Sequence, residues 1–277
     1  MKILTLNTHS LIEEDYSRKL SEFVKGVVHE KPEIIALQEV NQTLSEEVVS
    51  GEIKGYVPCR DNIIIRKDNH VLRVSELLAE LGERYYWTWL PLKKGYEKYE
   101  EGISVLSRSP ILETSIVPVS KIDDYENWKT RKLIGVRTEN LPDEWFFSVH
   151  YGWWNDSEEP FKEQWIKTAV RMTEYETVWL MGDFNNPAEI RKEGYDLMKR
   201  SYWFDSYELA EKKDGGITVK SEIDGWRGTN TEGMRIDQIW CTKRAVVTSS
   251  EVIFNGENYP VVSDHNGVMI NYERSII

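Results

Sequence analysis

The sequence predicts an α/β fold in which two mixed β-sheets pack face to face with helices on their outer surfaces, as one domain over residues 1–277. Three observations carry this. A strand-like run, a helix-period segment and a second apolar run open the chain, between Lys2 and Leu37. The same order recurs around Val178-Trp179-Leu180-Met181, where a helical segment from Glu158 to Tyr175 precedes a buried strand. Between these two units lie alternating segments that read as antiparallel pairs.

Lys2 to Asn7 alternates and ends in Asn7-Thr8-His9. From Ser17 to His29 the apolar positions Leu20, Phe23, Val24, Val27 and Val28 follow the helical period, and Pro32 comes after the stop. Ile34-Ile35-Ala36-Leu37 is a second buried strand that delivers Gln38-Glu39-Val40, so a parallel pair with a right-handed crossover is expected. Asn69 is a candidate N-cap for a helix from His70 to Leu81. Tyr85 to Leu90 is strand-like, and Lys93 to Glu101 reads as a polar loop. Gly102 to Arg108 is a strand broken by Pro110, with Ile111 to Val119 as its expected antiparallel neighbour. Leu133 to Thr138 and Trp145 to Val149 form another pair, and the second ends in His150. Thr177 begins the strand that stops at Gly182 and presents Asp183 and Asn185. Ala188 to Arg200 reads as helix, Tyr202 to Arg227 as mixed, and strands run from Val246 to Phe254 and from Val268 to Tyr272.

Composition narrows the function. Hydrophobic residues make up 40% and charged residues 30% of 277, which describes a folded, water-soluble chain with a large core. A net charge of -12 repels polyanions, so nucleic acid is a disfavoured partner without a local basic groove. Cys59 and Cys241 make neither a disulfide framework nor a metal motif. No apolar run reaches the ~18 residues of a membrane span. Met1-Lys2 leads directly into the first strand, so no signal peptide and a cytoplasmic location are expected.

Ligands of α/β folds gather at the carboxyl ends of strands. Asn7, Glu39, Glu101, His150, Asp183, Asn185, Asp237, Asp264 and His265 all fall at expected strand ends. Asp183 and Asn185, two residues apart, can share one water or one phosphate oxygen; read alone, they equally suit the turn before Pro187. Five of the nine groups are carboxylates. Brought together in a cleft they repel strongly and call for a cation or a retained proton. Oxygen ligands without cysteine favour a hard ion, Mg²⁺ or Mn²⁺.

The ordered set Leu4-Thr5-Leu6-Asn7, Leu37-Gln38-Glu39-Val40, Gly102 to Pro110, Ser148-Val149-His150, Gly182-Asp183-Phe184-Asn185, Arg235-Ile236-Asp237 and Ser263-Asp264-His265 resembles the motifs of the endonuclease/exonuclease/phosphatase superfamily. That family includes deoxyribonuclease I, apurinic endonucleases, neutral sphingomyelinases and inositol polyphosphate 5-phosphatases. The resemblance implies a four-layer α/β sandwich, deoxyribonuclease I-like, and Mg²⁺-assisted attack of water on a phosphoester. By position it implies that Glu39 is the main metal ligand, Asn7 an amide holding metal or phosphate, and Asp264 a second ligand. Asp183 resembles the carboxylate that orients and deprotonates the water, and Asn185 its partner on the phosphate. His265 resembles the histidine on the phosphoryl oxygen, oriented by Asp237. His150 matches a second histidine, with Glu101, or the adjacent Glu100, as its acid. An acid beside each imidazole is expected to raise its pKa.

Family resemblance leaves the phosphoester open. A phosphomonoesterase on a small sugar phosphate is the preferred reading. A phosphodiesterase, nuclease or sphingomyelinase-like, is the alternative, and a non-catalytic binding protein of the same fold is the third. After His150 come Tyr151-Gly152-Trp153-Trp154-Asn155-Asp156, whose aromatic faces suit a sugar ring while the polar groups bond its hydroxyls. Trp128, Trp226 and Trp240 either join them or belong to the core. Lys129, Arg131 and Lys132 either supply charge for a dianionic monoester or form a solvated strand edge. Arg108 is a further candidate substrate contact, or simply a strand end. Asn7 to Ser10, Gln38 to Gln42, Lys98 to Gly102 and His150 to Trp154 also resemble a bacterial subgroup that includes maltose 6′-phosphate phosphatase, which implies a sugar-phosphate substrate.

Overall fold

Strands that are apolar at nearly every position must be covered on both faces, and that requirement decides the layering. The structure, a computed structural model, describes residues 1–220, 226 and 233–274. Among the described residues there are two sheets. The first runs, in spatial order, β10 (Lys212–Lys213), β12 (Val246–Ile253), β13 (Gly267–Glu273), β1 (Lys2–Asn7), β2 (Ile34–Thr43), β4 (Tyr99–Ser107) and β3 (Tyr86–Gly95). The second runs β5 (Ile111–Pro118), β6 (Lys132–Thr138), β7 (Leu141–His150), β8 (Thr177–Asp183), β11 (Asp237–Cys241) and β9 (Phe204–Asp205). Helices α1 (Tyr16–Glu30) and α2 (His70–Glu80) cover the first sheet. The second is covered by α3 (Phe161–Arg171) and α4 (Gly194–Arg200), and a short α5 (Ser206–Leu209) lies beside β11 and β12.

The period-two alternation sorts each strand between two cores. In β1 and β2, Leu4, Leu6, Ile35 and Leu37 pack under α1 and α2, while Ile3, Ile34 and Ala36 face the other sheet. In β8, Val178 and Leu180 pack under α3 and α4, while Trp179 and Met181 join the layer between the sheets. Each fully buried side chain of this size contributes roughly 1.5–3 kcal/mol, so a charge at Ile35 or Met181 would open a core. The result is the four-layer sandwich of two mixed sheets. β1 and β2 are parallel, as are β7 and β8, which fits the two strand–helix–strand units read from the sequence. Asn69 caps α2, its side chain accepting from the Leu72 amide at 3.2 Å.

Four local expectations need correction. The segment 93–101 is a hairpin rather than a loop: β3 continues to Gly95 and β4 starts at Tyr99. Its turn places Tyr96 and Glu97 at φ 49° and 55°, a conformation usually signalled by Asn-Gly, which this turn lacks. β5 pairs with β6, not with β4, because both edges of β4 are already bonded to β2 and β3. α3 begins only at Phe161, since Pro160 disfavours helix in the residues before it. α4 begins at Gly194 rather than Ala188, after Lys192 takes a left-handed φ of 69°.

Candidate active site

One row of the second sheet builds half of the site. β7 and β8 run parallel with His150 opposite Asp183, and β11 runs antiparallel to β8 with Asp237 opposite Asp183. Three neighbouring strands therefore set His150, Asp183 and Asp237 side by side. From the first sheet, β1 contributes Asn7 at its end, beside β2. The β2–β4 register slips between Leu37 and Val40, and Glu39 takes φ 51° within that bulge. A bulge re-aims a side chain, and here it turns Glu39 into the space between the sheets' ends. Gln38 goes the other way and is fully buried. Its amide donates to Ser148 Oγ at 2.9 Å and to the Met181 carbonyl at 3.4 Å, tying the sheets together beneath the site.

Asp264 and His265 arrive on the loop before β13. Ser263 fastens that loop, its hydroxyl donating to the Asn7 carbonyl at 2.7 Å and accepting from the His265 amide at 3.2 Å. The Ser-Asp-His order thus has a mechanical reason.

These groups line a cleft of about 590 Å³, with Asn7 and Asp237 buried just behind its wall. Asn7 Nδ2 donates to Glu39 Oε1 at 3.0 Å and to Asp183 Oδ2 at 3.2 Å, joining the two carboxylates. Asp183 also accepts from the Asn185 amide at 2.8 Å. The Nε2 atoms of His150 and His265 approach the same Asp183 Oδ2, at 3.7 and 4.0 Å. Asn185 is engaged at both ends of its side chain. Its Nδ2 donates to the Tyr151 carbonyl at 3.1 Å, and its Oδ1 accepts from Trp226 Nε1 at 3.0 Å.

The two histidines are in opposite electrostatic states. Burial alone would lower the pKa of His265, but the Asp237 carboxylate at 2.8 Å from Nδ1 overrides it and raises the value to about 10. His265 is an imidazolium whose Nε2 faces Asp183. His150 is pushed well below 6.5, first by burial and then by Arg131, Lys93 and His265, so it is neutral. The expectation of a raised pKa at both imidazoles fails here. The reason is that Glu101 does not bond His150: it pairs with Lys93, Oε1 to Nζ at 3.1 Å. Glu100 accepts instead from Gln42. Asp183 is raised first by burial, with Asp237 and Glu39 adding to the rise against His265.

Glu39 tests whether a cation belongs here. Its pKa is raised by enclosure and then by repulsion from Glu101 and Asp264, and among the described residues no Lys or Arg pairs with it. Oxygen donors with uncompensated negative charge suit a hard divalent ion. A second grouping, Asp183, Asp237 and His265, is satisfied by the acid–histidine bond itself.

The remaining sequence candidates divide. Trp153 lines the cleft with its ring edge-on to Trp128 at 5.7 Å, and Trp128 is 50% exposed. Arg131 lines the cleft, whereas Lys129 and Lys132 pair with surface acids, Lys129 with Asp156 and Glu158, Lys132 with Asp123. Trp154 packs against the core under α3 and Trp240 is fully buried, so neither faces the cleft. Arg108 is corrected as well. β4 runs antiparallel to β2, which carries its last residues to the far end of the sheet, where Arg108 pairs with Glu83 at 3.1 Å. Five cleft residues escaped the sequence reading: Lys93, Lys94, Gly95 and Tyr96, hidden by the missed hairpin, and His9, which Glu13 holds at 2.9 Å. A smaller cavity of about 380 Å³ lies at the other end of β8, around Glu144 and Tyr272.

A model described as the endonuclease/exonuclease/phosphatase family matches residues 4–265. A solved endonuclease/exonuclease/phosphatase family protein from Leptotrichia buccalis is 30% identical, with a TM-score of 0.87 over 99% of this chain and 100% of that one. A mannosyl-6-phosphatase from Bacteroides thetaiotaomicron shares the fold at 16% identity and TM-score 0.68, covering 99% of this chain and 100% of its own. A 3′-5′ exonuclease from Neisseria meningitidis does so at 17% and 0.62, with 99% and 100% covered. A search of curated proteins returned no match.

Proposed function

The chain belongs to the endonuclease/exonuclease/phosphatase family of phosphoester hydrolases, and from that premise we propose that it is a metal-dependent phosphomonoesterase acting on a small sugar phosphate. The observation that carries this reading is the wall of the cleft, where the edge-on pair of Trp128 and Trp153 stands beside the buried Arg131. Aromatic faces suit the C–H faces of a sugar ring, and a guanidinium suits phosphate. The cleft has the size of a small-molecule site. The net charge of -12 disfavours a nuclease. A sugar phosphate of the maltose 6′-phosphate type is the leading candidate, in keeping with the mannosyl-6-phosphatase that shares the fold.

In this mechanism Asp183 orients the attacking water and accepts its proton. Its raised pKa makes it a better base near neutral pH than an ordinary carboxylate. Asn7 and Asn185 hold Asp183 in place. His265, charged and fixed by Asp237, donates from Nε2 to a phosphoryl oxygen as charge builds there. The neutral His150, on the other side of Asp183, offers a second hydrogen bond. Glu39 and Asp264, with the Asn7 side-chain oxygen, would hold Mg²⁺ or Mn²⁺, which supplies Lewis-acid stabilisation of the phosphoryl oxygens when bound.

The test is inorganic phosphate release, with Mg²⁺, from a panel of sugar monophosphates set against plasmid DNA and sphingomyelin. Release from one or a few sugar phosphates supports the proposal. Cleavage of DNA or lipid with no monoester turnover contradicts it.

A further inference from the structure

Among the described residues, the cleft carries a cation, Arg131, with no carboxylate within ion-pair distance. Lys93 and Glu101 face each other across β3 and β4, both nearly buried, with Nζ 3.1 Å from Oε1. Lys93 Nζ also donates to the Trp128 carbonyl at 3.0 Å. Arg131 Nη1 donates to that same oxygen at 2.9 Å. Two cations sharing one carbonyl lie within about 6 Å of each other and repel. Arg131 is 3% exposed, and among the described residues its side-chain bonds go only to the carbonyls of Trp128 and Thr130. Its Nε is buried with no partner, and among the described residues no carboxylate is within ion-pair distance of it. A buried guanidinium with no acid bonded to it, balanced only at longer range by Glu101, Glu39 and Asp183, favours an anion in the cleft.

The kind of anion follows from charge. A phosphate diester carries one negative charge and two terminal oxygens. A monoester carries nearly two charges at pH 7 and three terminal oxygens. His265 already addresses one phosphoryl oxygen in the proposed function, on which this inference rests. We infer that Lys93 and Arg131 together read the additional charge and third terminal oxygen of a monoester, and so select monoesters over diesters. This also explains why Glu101 does not reach His150. Glu101 is engaged with Lys93 instead, and competes with a bound anion for it.

The experiment is calorimetric binding of methyl phosphate and dimethyl phosphate at pH 8 with Mg²⁺, by the whole chain. The wild type is expected to prefer methyl phosphate. Lys93→Met should weaken methyl phosphate by about 10- to 100-fold, the size of one charge-assisted hydrogen bond, and leave dimethyl phosphate within about twofold. Lys93→Arg should keep most of the preference. Glu101→Gln guards against misfolding of the Lys93 variants: removing the competing carboxylate should leave methyl phosphate binding equal or tighter. Equal weakening of both ligands by Lys93→Met, or weakening of methyl phosphate by Glu101→Gln, overturns the inference. A wild type that turns over p-nitrophenyl phosphate but binds both ligands alike overturns the inference and spares the monoesterase reading. A wild type that hydrolyses only bis(p-nitrophenyl) phosphate overturns that reading itself.

Discussion

Gly182→Ala should damage both stability and turnover, although it adds one carbon and removes no polar group. Gly182 sits one residue before Asp183 with φ 152°, where side chains are rarely accommodated. An alanine Cβ would lie 2.0 Å from the Val149 carbonyl oxygen and 2.9 Å from Gln38 Nε2. Ordinary C···O approach is about 3.3 Å, so the overlap with Val149 exceeds about 1 Å. That oxygen belongs to the backbone of β7, paired with Gly182, so relief requires the carboxyl ends of β7 and β8 to part. Backbone strain of about 1–3 kcal/mol and overpacking of about 1–3 kcal/mol add to roughly 2–6 kcal/mol, a large share of a typical domain's stability. The strand ends that must part carry His150 and Asp183, and a displacement of about 1 Å there is worth about 100-fold in rate. Urea unfolding followed by tryptophan fluorescence measures the first effect. Phosphate release, at a temperature where the variant is folded, measures the second. A variant within about 1 kcal/mol of wild type and with full turnover would refute the reasoning.

Other predictions address single roles. Asp237→Asn should remove the strongest of the groups that raise the pKa of His265 and so lower it, so turnover at pH 8 should fall about 100-fold and recover in part as pH is lowered. The pair's stabilising contribution in the wild type is full below 6.5 and is lost as pH rises through about 10, so the melting-temperature gap between the two proteins should narrow over that range. A gap and activity ratio independent of pH would argue against an imidazolium. Glu39→Ala should abolish metal-dependent turnover with the fold intact, and circular dichroism paired with Mg²⁺ titration checks it; normal activity at saturating metal is the adverse result. Trp153→Ala and Trp128→Ala should each raise KM for a sugar phosphate about 10-fold, through loss of roughly 1–1.5 kcal/mol of ring contact, with little change for p-nitrophenyl phosphate. Equal effects on both substrates would leave the rings as packing.

The legible part of the fold was the part with a strong period. Leu20, Phe23, Val24 and Val27 mark α1, and Asn69 marks the start of α2. Asn7 and Asp183 stand where apolar runs announce that strands stop, whereas Glu39 lies at a bulge within β2, Asp237 opens β11 and His265 sits on the loop before β13. Sequence spacing is silent about which strand lies beside which, and in which direction. Arg108 was misplaced for that reason: an antiparallel β4 carries it away from the end where Asn7 and Glu39 sit. Glu101 was assigned to the wrong partner for the same reason, since Lys93 faces it only once the 93–101 segment is recognised as a hairpin. Trp153 and Trp154 were inseparable as an adjacent pair. In the structure one ring turns to the cleft and the other to the core under α3.

Inorganic phosphate release from sugar monophosphates, with maltose 6′-phosphate in the panel and Asp183→Asn alongside, tests the central claim most directly. The account predicts Mg²⁺-dependent release from one or a few sugars by the wild type and none by the variant. Release that persists in Asp183→Asn, or a wild type that leaves every monoester intact, would contradict it.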